Sequence, residues 1–136
     1  MKIKIKEIFF LSMIFVFCDC YIYSQEIKLV GRWINSEEFA SINSIEFSED
    51  NLAVMFQNAN ASPTFSFITD FNKQPVWIDM TVVKNGLEVK ILGLLDFINS
   101  DKIKMELFYG NLKEHPSSFS LISTSQSQLY IFNRVK

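Results

Sequence analysis

Cysteine is nearly missing from this chain: of 136 residues only Cys18 and Cys20 carry a thiol. Both follow an apolar run, Ile8 to Phe17, which itself follows Lys2, Lys4 and Lys6. A short basic segment leading into a short apolar one is the pattern of an export leader. A membrane-spanning helix needs about 20 apolar residues, and here Asp19 interrupts at roughly half that length. Leader peptidases cut behind small side chains, so the expected cut lies between Ser24 and Gln25. The chain then divides into a signal peptide, 1–24, and one domain, 25–136. A lipid anchor would need a small residue directly before its acceptor cysteine, whereas Phe17 precedes Cys18 and Asp19 precedes Cys20, so anchoring is not expected. With the leader gone both thiols are gone, which excludes a thiol nucleophile, a thiolate metal site and a structural disulfide. The expected product is periplasmic or secreted, with no membrane-spanning segment.

Histidine is scarcer still, with His115 alone. It stands before Pro116 in a polar stretch, and no G-x-S-x-G turn presents a serine to it, so no catalytic residue is assigned. Charge of one sign is also lacking. Residues 25–136 hold ten basic and thirteen acidic side chains, a net charge of −3. That gives no electrostatic footprint for nucleic acid. The carboxylates Asp70, Asp79, Asp96 and Asp101 are spread over turns and strand faces, without the convergence that a metal or a paired-carboxylate mechanism requires. No metal and no cofactor are expected. Asp79 and Asp96 are expected to face water. No repeat, proline-rich linker or low-complexity segment divides the domain.

What the domain does have is aromatic and alternating. Ten Phe, two Trp and two Tyr lie between Gln25 and Lys136, residue types that suit a half-buried pleated surface. In VWIDMTVV the residues Val76, Ile78, Met80 and Val82 recur at a period of two, which is a strand with one face on a core. Lys84-Asn85-Gly86 then reads as a tight hairpin turn, since Asn-Gly accepts the positive φ that such a turn needs. Leu87, Val89 and Ile91 continue in register on the partner strand, with a bend or bulge expected at Gly93. KIKMELF follows after Asn99-Ser100-Asp101. Upstream, Ile45 and Phe47 face one way before a turn at Ser48-Glu49-Asp50-Asn51, and Leu52, Val54 and Phe56 are taken as the apolar side of the next strand. LVGRWIN, TFSFITD and QLYIFNRV supply further strands. Only Ser36 to Ser41 invites a helical turn. The fold class is therefore all-β, about eight short antiparallel strands in a meander, closed into a barrel or strongly curled.

Gly31-Arg32-Trp33 on the first strand and Arg134 on the last resemble the lipocalin-like arrangement, in which a G-x-W indole plugs one barrel end under a late arginine. The stretch from Asp70 to Asp79, HPSSF at His115 to Phe119, and the terminal L.IF.RVK extend the resemblance to small secreted bacterial lipocalin-like domains over nearly the whole domain. It implies a structural role for Gly31, Trp33 and Arg134 in closing the barrel.

Two functions remain open. A filled barrel would be a structural or protein-interaction module with an envelope partner. A hollow one would bind a small apolar ligand, lined by Trp33, Phe56, Ile78, Met80, Ile91 and Met105, because eight strands enclose just enough room for either. On the outer face, Trp77 beside Asp79 is a candidate surface patch, with cover of the indole by a loop or by the barrel end as the favoured alternative.

Overall fold

The computed structural model describes residues 29–136; the leader, its cut at Ser24 and both cysteines lie outside the described residues. Nine strands are found among those residues: β1 (Gly31–Asn35), β2 (Ser44–Phe47), β3 (Leu52–Gln57), β4 (Asn60–Ala61), β5 (Phe65–Asp70), β6 (Val76–Lys84), β7 (Leu87–Asn99), β8 (Lys102–Phe108) and β9 (Ser127–Arg134). Every pairing is antiparallel. Starting from β2 the order is β1, β9, β8, β7, β6, β5, β3, and β3 pairs back onto β2, so eight strands close on themselves. The two-residue β4 only doubles the upper half of β3, at Phe56↔Ala61. Over the length that all eight strands share, closure removes the edges through which an antiparallel sheet pairs with other chains; the β6–β7 hairpin runs past that length.

Turn chemistry sets the hairpins. Asn85 and Gly86 have φ of 52° and 74°, so the β6–β7 connection takes the tight form in which both central residues are left-handed. Asn51, with φ 59°, ends the β2–β3 turn, and Ser48 N–H donates to Leu52 O across it at 2.9 Å. The segment Ser36 to Ser41 folds as a turn and not as a helix. Asn35 Oδ1 accepts from Glu37 N at 2.9 Å, and the chain then returns directly into β2. The bulge of β7 lies between Phe97 and Asn99, not at Gly93. Gly93 is needed for a different reason: a Cβ there would sit 2.7 Å from Ile78 O and 3.0 Å from a Leu107 methyl.

Inward residues alternate along each strand and form one contiguous core, with Trp33, Phe47, Ile78, Met80, Met105 and Phe132 among its largest buried members. Phe47 and Phe67 meet edge to face at 5.1 Å inside it. On β3 the parity is opposite to the sequence expectation. Ala53 and Met55 point inward, while Leu52, Val54 and Phe56 point out or lie at the rim. Register explains this: Ala53 is paired with Phe47 on one side and Phe65 on the other, and between two inward phenyl rings only a small side chain fits. Leu87 and Val89 share the inward parity of Ile91 but are exposed, because that part of the hairpin runs past the barrel.

Candidate functional site

Closure is concentrated where the first strand meets the last. Trp33 and Arg134 are direct cross-strand partners. The Arg134 guanidinium carbon lies 4.2 Å from the Trp33 ring centroid, over an indole that is fully buried. Nη1 of Arg134 donates to Val30 O at 2.9 Å, and the indole Nε1 donates to Leu29 O at 2.9 Å. Gly31 has φ 129°, and a Cβ at that position would come within 3.3 Å of Arg134 Nη1. Glycine thus leaves space for the guanidinium. Arg134 also reaches the β7–β8 turn, with Nε on Ser100 O at 3.2 Å and 3.6 Å from Asp101 Oδ1.

Of the residues expected to line a ligand cavity, Trp33, Ile78, Met80, Ile91 and Met105 all lie in the single core. Phe56 does not: it is outside, beneath the Arg32 guanidinium at 5.6 Å. An open depression of about 240 Å³ lies beside it at the barrel rim, lined by residues including Ile42, Met55, Gln57 and Ser62. At the same end a hydroxyl chain runs from Ser41 to Tyr130 at 3.3 Å and on to Tyr109 at 3.1 Å. Burial first, and then the hydrogen bond with Tyr130, pushes the Tyr109 phenol above its ordinary range, although part of the ring is open to solvent.

The candidate surface patch is covered, as the alternative reading of Trp77 expects. Trp77 and Asp79 point outward from β6, but residues 109–126, the connection from β8 to β9, lie over them as a strap. The His115 ring stacks on Trp77 with centroids 4.0 Å apart and planes 4° from parallel. His115 Nε2 meets Asp79 Oδ1 at 2.5 Å. Lys90 Nζ lies 3.7 Å from the other Asp79 oxygen, and Lys73 Nζ lies 4.7 Å from the Trp77 ring. Asp79 is therefore engaged, and of the two carboxylates only Asp96 is exposed.

Further along, Ser120 N–H donates to Glu106 Oε2 at 2.9 Å, and Lys104 Nζ sits 4.6 Å above the Phe119 ring. Beneath the strap lie Leu92, Leu94 and Phe108, buried yet outside the barrel core. Glu106 is fully buried among them, with Oε1 lacking any hydrogen-bond partner. The sequence carried a signal for this second layer. Ile91 to Leu95 is apolar at both parities apart from Gly93, and a strand buried on both faces reads as such a run.

Among the described residues no three His, Cys, Asp or Glu side chains converge as a metal site would require. Among them, too, no helix is long and apolar enough to cross a membrane. Compared with family models, with curated proteins and with solved structures, the chain matches none. In general shape alone, an eight-stranded closed antiparallel barrel, the structure is consistent with a lipocalin-like barrel.

Proposed function

We propose that this chain is an exported, non-catalytic protein-interaction module, a lipocalin-like barrel whose interior serves stability and whose outer surface serves contact. The observation that carries this reading is the crowding of the interior by large side chains. Trp33, Phe47, Phe67, Phe132, Ile78, Met80 and Met105 all belong to one contiguous buried core, and eight strands enclose a width that side chains can fill. A barrel that carries a ligand keeps a void of roughly 300 Å³ or more in that place. Support for export, to the periplasm or beyond, is the basic and apolar pattern of residues 1–24. The outer strap supports the non-catalytic part of the reading, because the one imidazole of the sequence is engaged in holding Trp77 and Asp79.

Native mass spectrometry of the protein taken from its own cells tests the reading. The expected mass is that of a bare polypeptide starting at Gln25, alone or with protein partners. A discrete increment of small-molecule size that survives purification would replace the interaction module with a carrier of an apolar ligand. A lipid-sized increment on Cys18 or Cys20 would replace the free exported domain with an anchored one.

A further inference from the structure

The β6–β7 hairpin is longer than the barrel needs. Pairing of β5 with β6 stops at Ser66↔Thr81, and pairing of β7 with β8 stops at Leu92↔Phe108. Beyond those points residues 82–84 pair only with 87–89, and Lys90 and Ile91 only with Thr81 and Met80; Val82 and Ile91 still pack on the core, and outward from Val83 and Val89 the ribbon leaves the barrel. Residues 83–90 are all exposed, Val83 at 69% and Leu87 at 71%. Among the described residues, the side of β7 away from β6 has no backbone partner from Leu87 to Ile91, with side chains exposed as far as Lys90 and buried at Ile91, and it lacks the proline or bulge that commonly protects such an edge.

We propose that this edge pairs with the same edge of a second copy of the chain, antiparallel, about a two-fold axis through Val89. The sequence of the edge, Leu87-Glu88-Val89-Lys90-Ile91, is its own complement under that operation. Antiparallel pairing centred on Val89 puts Glu88 opposite Lys90 of the second copy, twice, and Leu87 opposite its Ile91, twice. Opposite charges and apolar pairs facing directly across an antiparallel ladder are each favourable, and like charges there are unfavourable. A one-residue shift in register would set Glu88 against the second copy's Ile91 or Val89 and lose both ion pairs. Because opposed residues share a face, the exposed Leu87 and Val89 of the two copies join into one apolar strip. The two-fold closes the pair, whereas pairing this edge with the shorter free edge of β6 would be head-to-tail and grow without limit.

This inference deepens the reading of the chain as an interaction module, and the two can fail separately. Sedimentation velocity over a concentration series on the exported protein is the test. The expected result is a monomer–dimer equilibrium without larger species, weakened by salt because its specificity is ionic. Glu88→Lys, at an exposed site, makes both cross-strand pairs like-charged and raises the dissociation constant by about tenfold. The reversal Glu88→Lys with Lys90→Glu restores dimerisation. Val89→Lys, which sets two ammonium groups on the axis, abolishes it. Circular dichroism of each variant should show the unchanged β spectrum. A wild-type monomer at every concentration, open-ended polymers, or a dimer indifferent to Glu88→Lys would overturn the proposal, whereas a bound small molecule would overturn the underlying reading and leave the dimer untouched.

Discussion

Arg134 holds three pieces of chain at one point: the indole of Trp33, the carbonyl of Val30 and the turn at Ser100. Replacing it with Ala removes the cation above the ring and the packing of its stem, and should cost about 1 to 2 kcal/mol in urea denaturation. Trp33→Ala empties a fully buried site and should cost about 3 to 5 kcal/mol. Gly93→Ala tests the opposite fault, too much volume. With Ile78 O only 2.7 Å from the new Cβ, an overpacking loss of about 1 to 3 kcal/mol is expected, although Ala suits strands better than Gly. Glu106 is a buried carboxyl with one oxygen unpaired among the described residues, an arrangement that costs free energy. Glu106→Gln keeps an acceptor for Ser120 N–H and removes the ionisable group, so its midpoint in urea at neutral pH should equal or exceed that of the wild type. A clear loss of stability on Glu106→Gln would show that the carboxylate has a partner that the geometry does not reveal.

At the scale of elements, the strap is the part whose absence from an inspection of alternation is easiest to understand. Residues 109–126 have neither strand nor helix periodicity, and long connections of this kind are either packed and functional or loose. What holds its middle is a stack and a carboxylate contact at His115, the Ser120 N–H on Glu106 and the Phe119 ring under Lys104, while Tyr109 and Ser123 tie its ends to β9. His115→Ala should therefore speed amide exchange at Ser120 and its neighbours by at least tenfold while the β7–β8 amides keep their protection, a local opening and not a global one. Uniform loss of protection would mean that the strap is part of the barrel's own cooperative unit. The hairpins, by contrast, were legible in the sequence, because Asn85-Gly86 has few other uses and the runs on either side alternate cleanly. Leu52 to Phe56 was not, since five apolar residues in a row give no parity, and the small Ala53 between Phe47 and Phe65 decides it only once pairing is known. The outward role of Trp77 was legible, but the partner that covers it stands 38 positions later, at His115, and no local pattern links them.

For the molecule as a whole, the described domain is stabilised by one core inside the barrel and a thinner layer between barrel and strap, with closure by Trp33 and Arg134 joining its two ends. An eight-stranded barrel is at the width where its own side chains can fill it, and here Trp33, Phe47, Phe67 and Phe132 all turn inward. The methionines of the described residues provide native probes of that interior, since Met55, Met80 and Met105 are all buried in it. Methyl-labelled methionine spectra of the exported protein, recorded while a medium-chain fatty acid is titrated in, test the filled barrel most directly. The expected result is that the Met80 and Met105 methyl resonances stay in place at every concentration below micelle formation. Saturable shifts of those two methyls would mean that the interior opens to an apolar guest, and would contradict the filled barrel outright.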